Sequence, residues 1–397
     1  MNDTLCLPQN DAVRLHAWSA VGSMSMCVAM LIASEFMPVS LLTPIASDLG
    51  ATEGMAGQAI SISGLFAVVA SLIAPTIASR VDSRNVLMGL TVVMLASLLV
   101  IAAAPNFVVL MAARALLGVT IGGFWALSTA TIMRLVPSGS VTKALGIMYL
   151  GNAMATAFAA PLGSYLGAII GWRGIFWALA PLAAANLAWQ WISLPSMPPQ
   201  AARPAGAVFA LLKRRSVAIA MLGVMLTFAG AFATFTYLRP FLESNTQVTA
   251  TQLSLLLLGL GIAGFAGTYF AGALLERHLY PLLRWLPLAL GGATLAMLAL
   301  GHLFWGVAVA MIAWGALNAA IPVAWFTWLS KELSDEPESG GGLIVAAIQL
   351  SIMLGATLGG LLLDHISIAS TLLGGTVLLV LGSFVVGNGN RIRQQAR

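Results

Sequence analysis

The chain reads as an all-α membrane protein of twelve transmembrane helices in two six-helix halves. Three observations give that class. Of 397 residues, 59% are hydrophobic and only 8% charged, against roughly 25% charged in soluble proteins. The apolar residues gather into twelve runs, each near the ~17–25 residues that cross a bilayer as a helix. One hydrophilic connection, 195–216, divides those runs six and six.

Span one, 18–46, is the most informative. Its apolar run is interrupted by a single carboxylate, Glu35, and by Pro38 and Pro44, each of which removes a backbone donor and kinks the helix or opens its carbonyls. A charge at that depth costs at least ~2.5 kcal/mol, and intramembrane acids mark ion or proton pathways. Spans two and three, 55–79 and 86–104, flank a short loop with Arg80, Asp82 and Arg84. Span four, 107–136, carries a basic residue well inside the span, Arg114. Glu35 and Arg114 fall ~16 and ~12 Å below the same surface at 1.5 Å per residue. That depth suits a static pair or a cation that tunes the proton affinity of the acid. Desolvation raises a carboxyl pKa and a nearby cation lowers it. Span five, 141–170, holds Gly151, Pro161 and Gly163; span six is 175–194.

The connection 195–216 contains SMPPQAARPAGA and then Lys213-Arg214-Arg215, a flexible linker followed by a basic anchor. It separates an N-terminal half, 1–194, from a C-terminal half, 217–397. The second half supplies runs at 217–241, 253–275, 282–303, 304–329, 343–363 and 368–386, with only His302 dividing the ninth from the tenth. A six-plus-six division implies parallel repeats with a solute site between them. All but three of the 18 Lys and Arg fall in segments on one side; Arg173 and Arg239 lie at outer ends and Arg114 in a span. The positive-inside rule therefore puts both termini in the cytoplasm.

Few polar groups are available to a central cavity. Gln58, Asn152, Asn318 and Gln349 are the candidate amides, although interhelical hydrogen bonds are the ordinary fate of such groups. Trp125, Phe232, Tyr237, Trp325 and Trp328 offer flat faces for a planar ligand, or simple packing. Other patterns carry no chemistry. The net charge of +5 is scattered rather than striped, so nucleic acid is not a partner. Cys6 and Cys27 imply no disulfide framework, and His16, His278, His302 and His365 have no metal-ligand spacing. The glycines at 259, 261 and 264 spell a dinucleotide fingerprint, but inside an apolar span, where helix packing is the reading. The acidic segment 335–338 reads as a solvated loop. No metal, cofactor or catalytic residue is expected. The spans lack paired acids or clustered histidines, which argues against an enzyme, and no sizeable soluble domain suggests a sensor.

Arg114-x3-Gly118-x3-Gly122 resembles motif B of the major facilitator superfamily. Gly151-x8-Ala160-Pro161-x-Gly163 is similar to its antiporter motif C, with Ala160 in place of the usual glycine, and the Arg80–Arg84 loop looks like a degraded motif A. Glu35-Phe-Met-Pro-Val resembles span one of the drug/proton antiporter branch. Gly122-Gly-Phe-Trp-Ala126, Gly171-Trp-Arg173, Phe235-Thr-Tyr-Leu-Arg-Pro240, Ile321-Pro-Val323 and Ile348-Gln-Leu350 are similar to the purine ribonucleoside efflux pump family. The resemblance implies a major facilitator fold in a bacterial inner membrane, working as a monomer. It implies proton-coupled export of a small molecule, with inosine and guanosine as expected solutes. Export of chloramphenicol-like drugs or of sugars is the alternative. Motif C residues Gly151, Pro161 and Gly163 then read as a hinge, and Glu35 with Arg114 as the coupling pair.

Overall fold

The computed structural model describes residues 9–137, 140–199, 210–333, 337–387, 389 and 391–393. Those residues are almost wholly helical. In chain order the helices are α1 (Gln9–Ser40), α2 (Leu42–Leu49), α3 (Glu53–Ala78), α4 (Ser83–Ala103), α5 (Phe107–Leu135), α6 (Val141–Ser193), α7 (Arg215–Thr236), α8 (Leu238–Phe241), α9 (Ala250–Ala299), α10 (Phe304–Glu332), α11 (Pro337–His365) and α12 (Ile368–Val386). The middle of the connection, 200–209, lies outside the described residues, as do 334–336 of the acidic segment.

Caps fix where the spans begin. Asn106 accepts from the Val109 amide, Ser367 from the Ser370 amide, and Thr249 forms a reciprocal capping box with Gln252. Pro44 sits in the first turn of α2, where a missing donor costs little. Pro337 opens α11, so the end of the acidic segment is a helical turn rather than loop.

Two expected loops are absent. α6 runs for 53 residues, ~80 Å at 1.5 Å per residue, which is far beyond one ~30 Å hydrocarbon crossing. It holds spans five and six, folded back at Gly171 alone, whose φ of 73° and ψ of 162° leave the helical region. α9 likewise holds spans eight and nine, broken at His278. Pro281 accounts for that break: its ring has no N–H for the Arg277 carbonyl and collides with it. The division at His302 does fall in a turn, between α9 and α10. Among the described residues, eleven stretches are long and apolar enough to cross a membrane, one of them 51 residues long and bent at Gly171, which gives twelve crossings.

Two large hydrophobic cores result among the described residues. One gathers residues from Ala20 to Met197; the other runs from Leu211 to Ile392 and takes in Ala160. The halves meet along two seams, α3 with α11 and α6 with α9. The end of the bundle that carries α2, which the positive-inside expectation turns outward, is called the outer end for reference.

Within the first core, glycines set the spacing. A Cβ on Gly118 would stand 2.2 Å from Ser63 O, and one on Gly122 1.9 Å from Ala67 O, so α5 lies directly against the backbone of α3. At the other end of the bundle, Asp82 accepts from Ser196 Oγ (2.5 Å) and the Met197 amide (2.9 Å), tying the start of the connection to α4. Burial pushes the Asp82 carboxyl up. Those donors, the Arg84 amide and the Arg134 charge outweigh it and leave the group below its ordinary range.

Candidate functional site

Pro38 explains where Arg114 stands. Lacking an N–H, it leaves the Ser34 carbonyl, four residues earlier, without a helical donor. Arg114 supplies one. Its Nη1 donates to Ser34 O at 2.8 Å, its Nε to Ala59 O on α3 at 2.9 Å, and its Nη2 lies 3.5 Å from Glu35 O. The residue is completely buried. Ser63 completes the joint, its hydroxyl 2.9 Å from Arg114 O.

Glu35 is 3% exposed. Gln349 of α11 lies close enough to its carboxyl to act on it, as does the Arg114 charge. Arg114 and Glu35 thus lie together, but the hydrogen bonds of the guanidinium go to carbonyls, and no ion pair joins it to the Glu35 carboxylate. The reason is the carbonyl that Pro38 exposes: the planar fork satisfies backbone first. A carboxyl of the first half therefore meets an amide of the second, with a cation fixed behind it.

On the outer side of Glu35 the halves are sealed by aromatic rings. Phe36 lies 5.9 Å from Phe232 and 5.8 Å from Phe235, and Phe235 stacks on Trp314 at 6.1 Å. Val39, Ile60, Ile352 and Ala356 fill the space around them. Farther out, Tyr237 is fully buried between α3 and α11, donating to Ala356 O at 2.7 Å and lying 3.4 Å from Gly54 O. At the surface, Thr43 contacts both Glu53 (2.9 Å) and Glu243 (2.6 Å). Arg239 holds Glu243 at 2.7 Å and donates to Ser40 O. Asp364 takes Thr52 Oγ1 at 2.6 Å and the Gly54 amide at 3.1 Å. Among the described residues, hydrogen bonds between the halves run from mid-depth to this end. The bundle is closed at the end that carries α2.

The remaining candidates are dispersed. Gln58 sits half-buried on the α3–α11 seam beside Gly360. Asn152 is half-buried on α6 and Asn318 on α10. Trp125 stacks on Tyr149 with centroids 5.8 Å apart. Trp325 is 1% exposed and packs on Trp328 and against Gly223 inside the second core, and Trp328 donates to Ile392 O. Tyr237 and Trp325 therefore present no free face to a central solute in this conformation. Gly151 and Gly163 bring α6 against α1, where added Cβ atoms would meet Ser25 O at 2.2 Å and Ser40 Oγ at 2.5 Å. Pro161 leaves the Ala157 carbonyl without a helical donor, and Gly261 of α9 packs onto it. Gly261 is one of the three glycines of the discounted fingerprint, and here it lets the halves touch.

Sequence reading did not single out Phe36, Thr43, Tyr149, Glu53, Glu243 or Asp364. The charged members stand within a few residues of span ends, which is their only signal. Glu243 and Asp364 find partners 200 and 310 residues away, whereas Glu53 meets Thr43 only ten residues back.

Two helical cores meeting along paired seams, with a buried acid and base at the meeting face, define a membrane transporter built of two halves. The chain belongs to the Major Facilitator Superfamily, whose family model matches residues 24–340. It is similar to the Pseudomonas aeruginosa protein named Transcription regulatory protein OpdE, 47% identical over 373 residues and 93% of both chains. It is also similar to the purine ribonucleoside efflux pump NepI of Salmonella enteritidis PT4, 40% identical over 389 residues and 96% of both. Among solved structures, the nucleoside transporter NupG shares the fold with a TM-score of 0.77 at 15% identity, over 93% of this chain and 98% of that one. A bacterial homologue of the lysosomal transporter Spinster, in an inward-facing and unoccupied conformation, does so at 0.68 and 13%, over 94% and 96%.

Proposed function

We propose that the protein exports purine ribonucleosides such as inosine and guanosine, and their analogues, in exchange for protons. It works as a monomer in a bacterial inner membrane with both termini in the cytoplasm. The halves 1–194 and 217–397, joined by 195–216, rock about the site between them and expose it to each side in turn. The observation that carries the reading is Glu35, a buried acid facing Gln349 of the opposite half. Protonation removes a charge from that face and favours one arrangement of the halves; solute favours loss of the proton. The name of the 40% identical pump supports the purine class.

Gln58, Asn152, Asn318 and Gln349 are proposed to hydrogen-bond the solute, with Phe232 along its flat face and Trp125 in the aromatic wall of the same site. Tyr237 is assigned to closure of the outer seam and Trp325 to the second core. Gly151, Pro161 and Gly163 form the joint on which α6 moves against α1. If one proton enters per neutral solute, each 100 mV supplies ~2.3 kcal/mol, enough for a roughly fifty-fold gradient.

The test is uptake of labelled inosine into inside-out membrane vesicles with an acid interior. Accumulation should collapse with an uncoupler and vanish in Glu35→Gln, while the variant still purifies as a folded protein. Uphill accumulation by Glu35→Gln at the wild-type level rejects the coupling role. A counterflow panel in which drugs or sugars exchange and nucleosides do not rejects the purine class. The 47% identical relative is named for transcription regulation; removing an inducer from the cytoplasm is a route by which an exporter alters transcription, so that name does not compete with export.

A further inference from the structure

α6 has four sides between Gly146 and Ile169. It meets α1 along Gly151 and Gly163, and α9 along Ala157 and Ser164. A third side carries Met154, Leu162, Tyr165 and Ile169, all large, apolar and exposed, as contact with lipid requires. The fourth side differs in character. It carries Tyr149, Asn152 and Thr156, spaced i, i+3 and i+7 on one stripe.

Tyr149 is held from behind. Its ring stacks on Trp125 at 5.8 Å and an interplanar angle of 28°. Trp125 lies eleven residues past Arg114 on α5, three turns on and within ~20° of the same face, so the pair stands on the side from which Arg114 reaches Glu35. Tyr149 is nonetheless 43% exposed. Trp125 covers one face of its ring, and the exposure lies elsewhere on the residue. Its hydroxyl has no hydrogen-bond partner among the described residues, and neither has the Asn152 amide. The Thr156 hydroxyl donates to Asn152 O at 2.8 Å, which leaves its lone pairs free to accept.

The geometry points to Tyr149 as the surface on which the purine ring of the solute stacks, with Asn152 and Thr156 taking the polar groups of the base and ribose. This rests on the purine reading above. Trp125 then acts as a backing plate that fixes the tyrosine ring and need not touch the solute. A two-ring base covers more of an aromatic face than a one-ring base, so the platform favours purines over pyrimidines.

Counterflow of inosine and uridine in proteoliposomes tests it. The wild type should prefer inosine. Tyr149→Leu should raise KM for inosine about ten-fold or more, the scale of one lost base–aromatic stack, with maximal exchange retained and the preference over uridine narrowed. Tyr149→Phe, which keeps the ring, should retain the preference. An unchanged inosine KM and preference in Tyr149→Leu overturns the platform. As a second measurement, Tyr149→Cys in a Cys6→Ser background should react with a maleimide, and saturating inosine should slow that reaction where sorbitol does not. Cys27 is fully buried. Labelling that ignores inosine also overturns the platform. A wild type that exchanges no purine nucleoside defeats the substrate reading itself, which separates the two failures.

Discussion

Gly57→Ala should unlatch the outer end without touching the coupling acid. A Cβ at this position would stand 2.0 Å from Tyr237 Oη, 2.5 Å from Cζ and 2.7 Å from Cε1. The ring has nowhere to go. A Cβ on Gly359 opposite would meet its Cε2 at 2.7 Å, and Tyr237 is fully buried. Overpacking of this kind costs about 1–3 kcal/mol, and displacing the 2.7 Å bond to Ala356 O adds about 1 kcal/mol. The penalty falls on the closed arrangement alone, because parting of α3 from α11 relieves it. A penalty near 2 kcal/mol moves the equilibrium about thirty-fold toward opening. Spin labels at Met55 and Leu361, exposed on either side of the seam, should report a new longer separation by double electron–electron resonance. Gly89→Ala, where a Cβ meets nothing within 4 Å, is the control. A distance distribution in Gly57→Ala identical to that of Gly89→Ala would refute the reasoning.

Arg114→Lys keeps the charge but loses the fork, so Ser34 O or Ala59 O is left unpaired in a buried site at about 1–3 kcal/mol; a lower unfolding temperature in detergent is expected, and a wild-type value counts against the joint. Asp82 is held below its ordinary range by its donors, so its stabilising share is present above the unfolded carboxyl pKa and disappears as pH falls through the lower folded value. Thermal unfolding should lose that share on acidification, and Asp82→Asn should flatten this part of the profile; parallel curves for the two proteins contradict it. Gly122→Val sets a side chain against Ala67 O, where even a Cβ stands at 1.9 Å, and should sharply reduce the yield of folded protein on size-exclusion chromatography, an outcome that wild-type yield would disprove.

Span positions were legible because an apolar run must match bilayer thickness, and α3, α4, α5, α7 and α12 fall close to the runs. Glu35 and Arg114 were legible because a charge inside such a run is expensive. The corners at Gly171 and His278 were not, since a single residue outside the helical region leaves no trace in hydropathy. Nor was the partner of Arg114: that required noticing that Pro38 orphans the Ser34 carbonyl. The closure of the outer end was hidden for another reason. Thr43, Glu53, Arg239, Glu243 and Asp364 look like ordinary surface residues until the fold brings them together. Tyr237 and Trp325 were aromatic enough to suggest stacking, but their burial comes from tertiary packing, which composition does not record.

The turn at Gly171 has a mechanical consequence. Its φ and ψ belong to a region that glycine alone occupies readily, though a Cβ there would meet nothing within 4 Å. Arg173 bolts the corner down, pairing with Asp48 and donating to Ala104 O at 2.7 Å, and Trp172 donates to Asp48 at 3.2 Å. Spans five and six therefore meet at a fixed corner with no connecting slack. Span six is tied in turn to α1 by the Trp189 indole, which donates to Ser19 at 2.8 Å, and the exposed tip offers a protease or an antibody no loop to grip.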